Sequence, residues 1–410
     1  MDKLGKIAYE NDDLLSKNLT LSKSKCHRIH ISKRSRVADK ECPALKVHED
    51  KMADSDREKY LGDILDKSGK IRATIEDRQK KGFAIVAEIL AILEEIPLGK
   101  YKMEIGLQLR QAMLLNGMLY NSEVWHSISE EEIKMMEKVD EHLLRSLVKG
   151  HSKSPLEFLF LEAGATPIRF LISCRRILYL QTILHRPDHE LIKRVYVAQK
   201  DDPLPGDFFQ LVQGDLQLME GDLSDQYLQQ SSRNSLKCEI KQKTKNAAFR
   251  YLKSLQSQYS TISEIHYPTF GTQKYMTSPI FTNDEVNLLH ALRSRSINVK
   301  NNFSSKYRND MSCPLCSNVI DDQQHILDCD VLKNKLKSRE AANNKVVYED
   351  IFGDYLKQKE VTHLFAKLIN IRDSLVDKNL RWIPAPSTSA EMLEDDDNLR
   401  ASIAHNPSGK

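Results

Sequence analysis

The sequence predicts a mainly α-helical protein that carries a small zinc-binding module. Three observations lead there. Leu, Ile, Lys, Glu and Gln dominate long stretches, and these side chains lose little freedom in a helix. Aromatics make up only 7% of the chain and glycines number 15, too few for a large β-sandwich or barrel. Residues 313–329 gather three of the seven cysteines around a histidine, as Cys313-Pro-Leu-Cys316, His325 and Cys329.

Taken in order, the N-terminal part offers short strands. Ile29 and Ile31 alternate within a basic run from Lys23 to Arg36. Ala44 to His48 alternates again, so the two segments read as a hairpin. Lys59-Tyr60-Leu61-Gly62-Asp63-Ile64-Leu65 reads as a third strand that ends in a Lys67–Lys70 turn. Beyond Ile71 the period becomes helical. Ile85, Ile89 and Ile92 are three to four apart until Pro97 stops the helix. Met103 to Trp125 is apolar all round and so predicts burial on most sides. Ile133, Met136, Val139, Leu143 and Leu147 mark an amphipathic helix, with Ser129 and Glu132 as its capping box. Pro167 suits the first residue of a helix through Leu184 with Thr166 as N-cap, and Arg169, Arg175 and Arg176 read as a solvated face.

Residues 201–235 read as a polar linker with short helices, and 261–281 as loop or short strands. Lys237 to Lys253 reads as a basic helix that packs through Ile240, Ala247, Ala248 and Tyr251. A helix from Asp284 runs into Arg293, a Lys-rich helix follows Cys329, and Val361 to Asp377 gives a last amphipathic helix. The tail from Pro384, with its Glu394-Asp-Asp-Asp397 run, has the composition of a disordered segment.

The chemistry concentrates at Cys313, Cys316, His325 and Cys329. A two-residue gap lets both sulfurs of a Cys-x-x-Cys turn point at one ion, and a helix starting near Asp321 would put His325 and Cys329 on one face. Four protein ligands leave no open position, which favours structural over catalytic zinc. The competing reading is two unrelated buried cysteines and a surface histidine.

Length and charge bound the rest. At 410 residues the chain has room for two or three domains, and 40% hydrophobic against 29% charged residues fits a soluble, folded protein. Scattered cysteines suit a reducing compartment, hence an intracellular protein of nucleus or cytoplasm. Neither a signal peptide nor a membrane span is legible: the most apolar run, Phe83 to Leu93, is short and holds Glu88. No Gly-rich phosphate loop, Gly-x-Ser-x-Gly or His-Glu-x-x-His points to an enzyme on a small-molecule substrate. With a net charge of only +3, affinity for RNA or DNA requires local patches. Two runs supply them: Lys241, Lys243, Lys245 and Arg250 in the first, and Arg293, Arg295, Lys300, Lys306 and Arg308 in the second. Phe303 and Tyr307 in the second run read either as base-stacking groups or as packing residues.

Together these stretches resemble the C-terminal part of the polymerase protein of non-LTR, LINE-type retrotransposons. Leu19-Thr-Leu-Ser-Lys-Ser-Lys25-Cys26 looks like reverse transcriptase motif D. Tyr60-Leu61-Gly62 looks like the Tyr-Leu-Gly of the primer-grip hairpin. Met113 to Tyr120, with Glu123 and Trp125, is similar to the thumb helix, and the cysteines and histidine match the family's Cys-Cys-His-Cys set. The resemblance covers roughly residues 15–380. It implies a palm remnant over 1–66, a helical thumb over 67–150, a connector with a basic helix over 151–260, a zinc module over 261–340, C-terminal helices over 341–383 and a tail beyond.

The family's catalytic carboxylates, which clamp two metal ions, belong upstream of motif D. Only about two dozen residues precede Lys25, and Asp12 and Asp13 lie too close to it and lack a preceding apolar strand. The expectation is therefore a catalytically incomplete fragment, from a truncated or mis-bounded gene copy, that binds nucleic acid. The alternative is a zinc-stabilised helical protein-interaction module whose basic runs are ordinary solvated faces.

Overall fold

The computed structural model describes residues 27–29, 31, 46–47, 50–51, 53–95, 102–126, 128–220, 223–307, 310–336 and 346–376. Lys25, Arg308 and the tail from Pro384 lie outside them. The architecture is mainly helical, with a few short strands near the N-terminus.

Strand pairing differs from the sequence expectation. β1 (His27–Arg28) pairs in parallel with β4 (Ala53–Asp54), and an Arg28–Asp54 ion pair bridges the two. β2 (Lys46–Val47) pairs instead with β3 (Asp50–Lys51). The expected single strand over 59–65 is a hairpin, β5 (Arg57–Tyr60) against β6 (Asp63–Asp66), with Tyr60 opposite Asp63. Leu61 (φ 48°) and Gly62 (φ 93°) form its two-residue turn. Both central residues have positive φ, as a type I′ turn requires, and Gly62 is where the chain tolerates it.

Helix α1 (Arg72–Glu95) buries Ile75, Val86, Ile89 and Leu93 against α3 (Glu130–Val148). Gly82 permits the close approach, because a Cβ there would sit 2.8 Å from Met118 and 2.9 Å from Val139. α2 (Lys102–Leu109) continues through a π-helical turn, Arg110–Leu115. That turn carries Arg110 inward, where it meets Asp140 of α3 with both forks, at 2.6 and 2.5 Å, and the Thr166 carbonyl at 3.0 Å. α3 starts at Ser129 with the expected capping box to Glu132.

After α4 (Leu156–Ala163), α5 (Ile168–Leu184) begins one residue later than expected, with Pro167 at its N-cap. Its arginines are not a solvated face. Arg176 is 4% exposed and bonds Asp215 at 2.7 Å, Arg175 donates to the Leu119 carbonyl, and Arg169 pairs with Glu130 and Glu137. The Asp215 partner explains Arg176: it stands on α7 (Phe208–Met219), inside the stretch expected to be a linker with short helices, and α7 packs on α5. With α6 (Leu191–Asp201), α8 (Asp225–Gln230) and α9 (Arg233–Gln256), these helices enclose a second apolar cluster around Ile177, Leu180, Leu236 and Ile240.

The first apolar cluster runs from Ile71 through α3 and α4 to Leu368, across the boundaries expected near 150 and 260. Residues 261–281 hold no strand among those described; their one regular element is the short α10 (Lys274–Thr277). α11 (Asn283–Arg293), capped by Thr282 and Glu285, leads to α12 (Gln323–Asp328), α13 (Asp330–Lys335) and α14 (Tyr355–Leu375). None of the described helices is long and apolar enough to cross a membrane.

Candidate metal centre and basic surfaces

The segment before Cys313 folds back on itself. Ser312 bridges Ile320, and the Cys313 amide donates to the Val319 carbonyl at 2.8 Å. Ser317, at φ 59°, turns the chain between them, and its amide returns to the Cys313 carbonyl at 2.9 Å. Asp322 then caps α12 by accepting the amide of His325, so the imidazole sits in the first turn. Cys329 falls just past the last turn, its amide on the His325 carbonyl at 2.7 Å.

These turns bring the four donors together: the Sγ atoms of Cys313, Cys316 and Cys329 and a ring nitrogen of His325 lie within 4.8 Å of one another. Cys316 Sγ and His325 Nε2 are 3.3 Å apart. Edges of about 3.5–3.8 Å follow from zinc bond lengths in a tetrahedron, so the cluster is of a size that a metal ion can close. Cys313 and Cys329 are buried and Cys316 is half-buried, which shields the set from solvent. Three sulfurs and one imidazole fit a soft or borderline cation, and among the described residues no fifth His, Cys, Asp or Glu joins the cluster.

The knuckle is joined to the helical body by buried polar groups. Asp321, 1% exposed, accepts from Arg372 of α14 at 2.8 Å and from the Lys300 amide at 2.9 Å. Burial pushes the Asp321 carboxyl above its ordinary range, against the pull of Arg372. Gln323 Nε2 donates to the Leu292 carbonyl and to the Tyr348 hydroxyl.

The two basic runs part company here. On α9, Lys241, Lys245 and Arg250 are exposed and Lys243 is half-buried. Lys243 donates to the Glu220 carbonyl and Arg250 pairs with the Glu220 carboxylate at 3.2 Å. Lys241 and Lys245 stand on one ridge with Arg233 and Lys237, four residues apart each time and all exposed. Lys241 and Lys237 lie close enough to buried Cys174 of α5 for their charges to act on it; burial itself raises that thiol.

Arg293, by contrast, is 2% exposed and cannot meet a phosphate in this fold. Its guanidinium bonds fully buried Glu162 of α4 at 2.8 Å and the Ile351 carbonyl at 2.9 Å. The hydroxyls of Tyr267 (2.5 Å) and Tyr275 (2.6 Å) complete the Glu162 carboxylate. Burial pushes Glu162 up, yet the Arg293 charge and these bonds outweigh it and hold the carboxyl below its ordinary value. The same run is engaged elsewhere: Lys300 meets Asp310 at 2.6 Å and Arg295 meets Glu264 at 3.2 Å. Lys306 is exposed. Phe303 is buried beside His151 with the Lys153 ammonium 4.7 Å from its ring, so packing is its role rather than stacking on bases. Sequence reasoning missed Glu162 as the partner, because the pair is 131 residues apart and no local pattern links them.

The hairpin tip is clamped. Asn121 donates to the Leu61 carbonyl and to Asp63, both at 3.1 Å. Arg78, 6% exposed, donates to the Gly62 carbonyl at 3.0 Å and lies over the Tyr120 ring. Tyr60 and Leu61 are left 63% and 70% exposed on this fixed support. Comparison of the chain with protein-family models, with curated proteins and with solved structures found no match.

Proposed function

We propose that the chain is a catalytically incomplete fragment of a non-LTR retrotransposon RNA-directed DNA polymerase, keeping the nucleic-acid-binding thumb and a structural zinc site. The observation that carries this reading is the convergence of Cys313, Cys316, His325 and Cys329 into one donor cluster, in the Cys-Cys-His-Cys order of that family. Zinc would supply local folding there by tying a turn to a helix end through its four ligands. The ridge Lys237, Lys241, Lys245 would hold the phosphate backbone, and the exposed Tyr60–Leu61 tip resembles the primer grip.

Elemental analysis of the purified chain tests the first half, with one zinc per chain expected and none overturning it. RNA binding against salt tests the second. Three ridge cations on a single strand give a log–log slope of roughly −2 by counterion release. A slope and affinity unchanged by Lys237→Glu, Lys241→Glu and Lys245→Glu together would favour the protein-interaction module instead. Internal pairing of Arg293, Arg295 and Lys300 supports that second reading for the 293–308 segment.

A further inference from the structure

The hollow between the C-terminal end of α5 and the start of α9 plays no part in the reading above. It measures 380 Å³, opens to solvent, and is lined by Gln181, Thr182, His185, Arg186, Pro187 and Arg233. That volume falls among small-ligand clefts of roughly 300–1,000 Å³. Arg186, Arg233 and His185 are in its lining, and among the described residues no Asp or Glu is. Among the described residues the one acid paired to a lining residue, Glu190, reaches Arg186 only at 3.7 Å. Arg233 is exposed and forms no ion pair among the described residues.

The floor is fixed. Gln181, 4% exposed, donates through Nε2 to the carbonyls of Ser231 (3.0 Å) and Leu228 (3.4 Å), pinning the chain that enters α9. A carbonyl only accepts, so the 2.8 Å contact of His185 Nδ1 with the Gln181 carbonyl makes Nδ1 the donor, and Nε2 donates to a phosphate oxygen only in the imidazolium form. Guanidinium forks match the oxygens of a phosphate group, and among the described residues only Arg186 has a carboxylate to share, at 3.7 Å. Arg233 also heads the ridge that continues through Lys237, Lys241 and Lys245, with a cation about every 6 Å along the helix.

We infer that this hollow binds a phosphate monoester, and that the monoester is the terminal phosphate of a nucleic-acid strand lying along the ridge. The strand as its source rests on the nucleic-acid reading above; the phosphate site itself does not. The test uses the full chain. Anisotropy is measured on a 12-nucleotide RNA bearing a 5′-phosphate, a 3′-phosphate or only hydroxyl ends, and calorimetry on adenosine 5′-monophosphate against adenosine.

One phosphorylated end should bind about tenfold tighter than the hydroxyl-ended RNA, the worth of one set of charge-assisted hydrogen bonds. Arg186→Ala with Arg233→Ala should erase that gain, and adenosine should not bind where its monophosphate does. Equal affinity for all three RNAs together with no binding of the mononucleotide overturns the site. Mononucleotide binding that needs Arg186 and Arg233, with no extra affinity for any RNA, keeps the site and overturns the strand as its source.

Discussion

Residues 237–253 carry six cations and residues 293–308 carry five, yet the first run keeps Lys237, Lys241 and Lys245 in solvent and the second ties Arg293, Arg295 and Lys300 to carboxylates of the same chain. The difference lies in the neighbours. α9 is a 24-residue helix whose apolar side, Leu236, Ile240, Ala247 and Leu252, faces the core and so turns the Lys237–Lys245 ridge outward. Arg293 ends α11 where that helix runs into α4 and the 348–352 turn, so its fork points at Glu162. Arginine suits such a place because a planar fork can satisfy two carboxylate oxygens at once. A run of positive charge is thus no surface until the face behind it is known.

The largest effect that could break this contrast is at Arg293. Arg293→Ala leaves Glu162 buried and uncompensated, so urea unfolding should show a loss of about 3–5 kcal/mol. Arg293→Met combined with Glu162→Leu should recover most of it. A loss under about 1 kcal/mol in the single variant would make the pair incidental.

Next comes acid. His290, one turn before Arg293, is 1% exposed, and neither ring nitrogen has a hydrogen-bond partner among the described residues. Burial lowers its pKa to about 4, with Arg145 and Arg293 adding to the shift and Glu162 opposing it. Between pH 6.5 and 4 the unfolded chain therefore binds a proton that the folded chain refuses, and stability falls with pH by up to about 3 kcal/mol. Glu162 adds a lower window: its depressed carboxyl contributes stability above pH 4.5 that is lost as pH falls through its folded value. His290→Leu should flatten the upper window while leaving the lower one.

Smaller still is Lys300. Its side chain is 14% exposed but Asp310 is 64% exposed, so Lys300→Ala should cost at most about 1 kcal/mol. Lys241→Ala comes last, within about 0.5 kcal/mol of the parent in the same melts. Any change it makes should be in the salt dependence of RNA binding, which is where the two runs should differ most.

Much of the helical frame was legible, because helix signals are local. Ser129 and Glu132 announce the start of α3 within four residues, and the Cys-x-x-Cys and His-x-x-x-Cys spacings announce the donor cluster. What escaped is held at long range or depends on one glycine. Asp215 draws Arg176 inward from 39 residues away, which no amphipathic period reveals. The hairpin turn at Leu61-Gly62 could have been read from an X-Gly pair between two alternating runs, but a continuous strand fits the same residues equally well.

The pairing of Glu162 with Arg293 has a consequence for synthesis. When Glu162 leaves the ribosome its partner is 131 residues away. At about 5–20 residues per second that is roughly 7–26 s of translation. Through that interval α4 cannot settle into its final seat without burying a lone carboxylate, and Phe158, Leu159, Phe160 and Leu161 around it stay without their final cover. A nascent chain halted before residue 293 should accordingly be held by chaperones, and one released just after residue 376 should not.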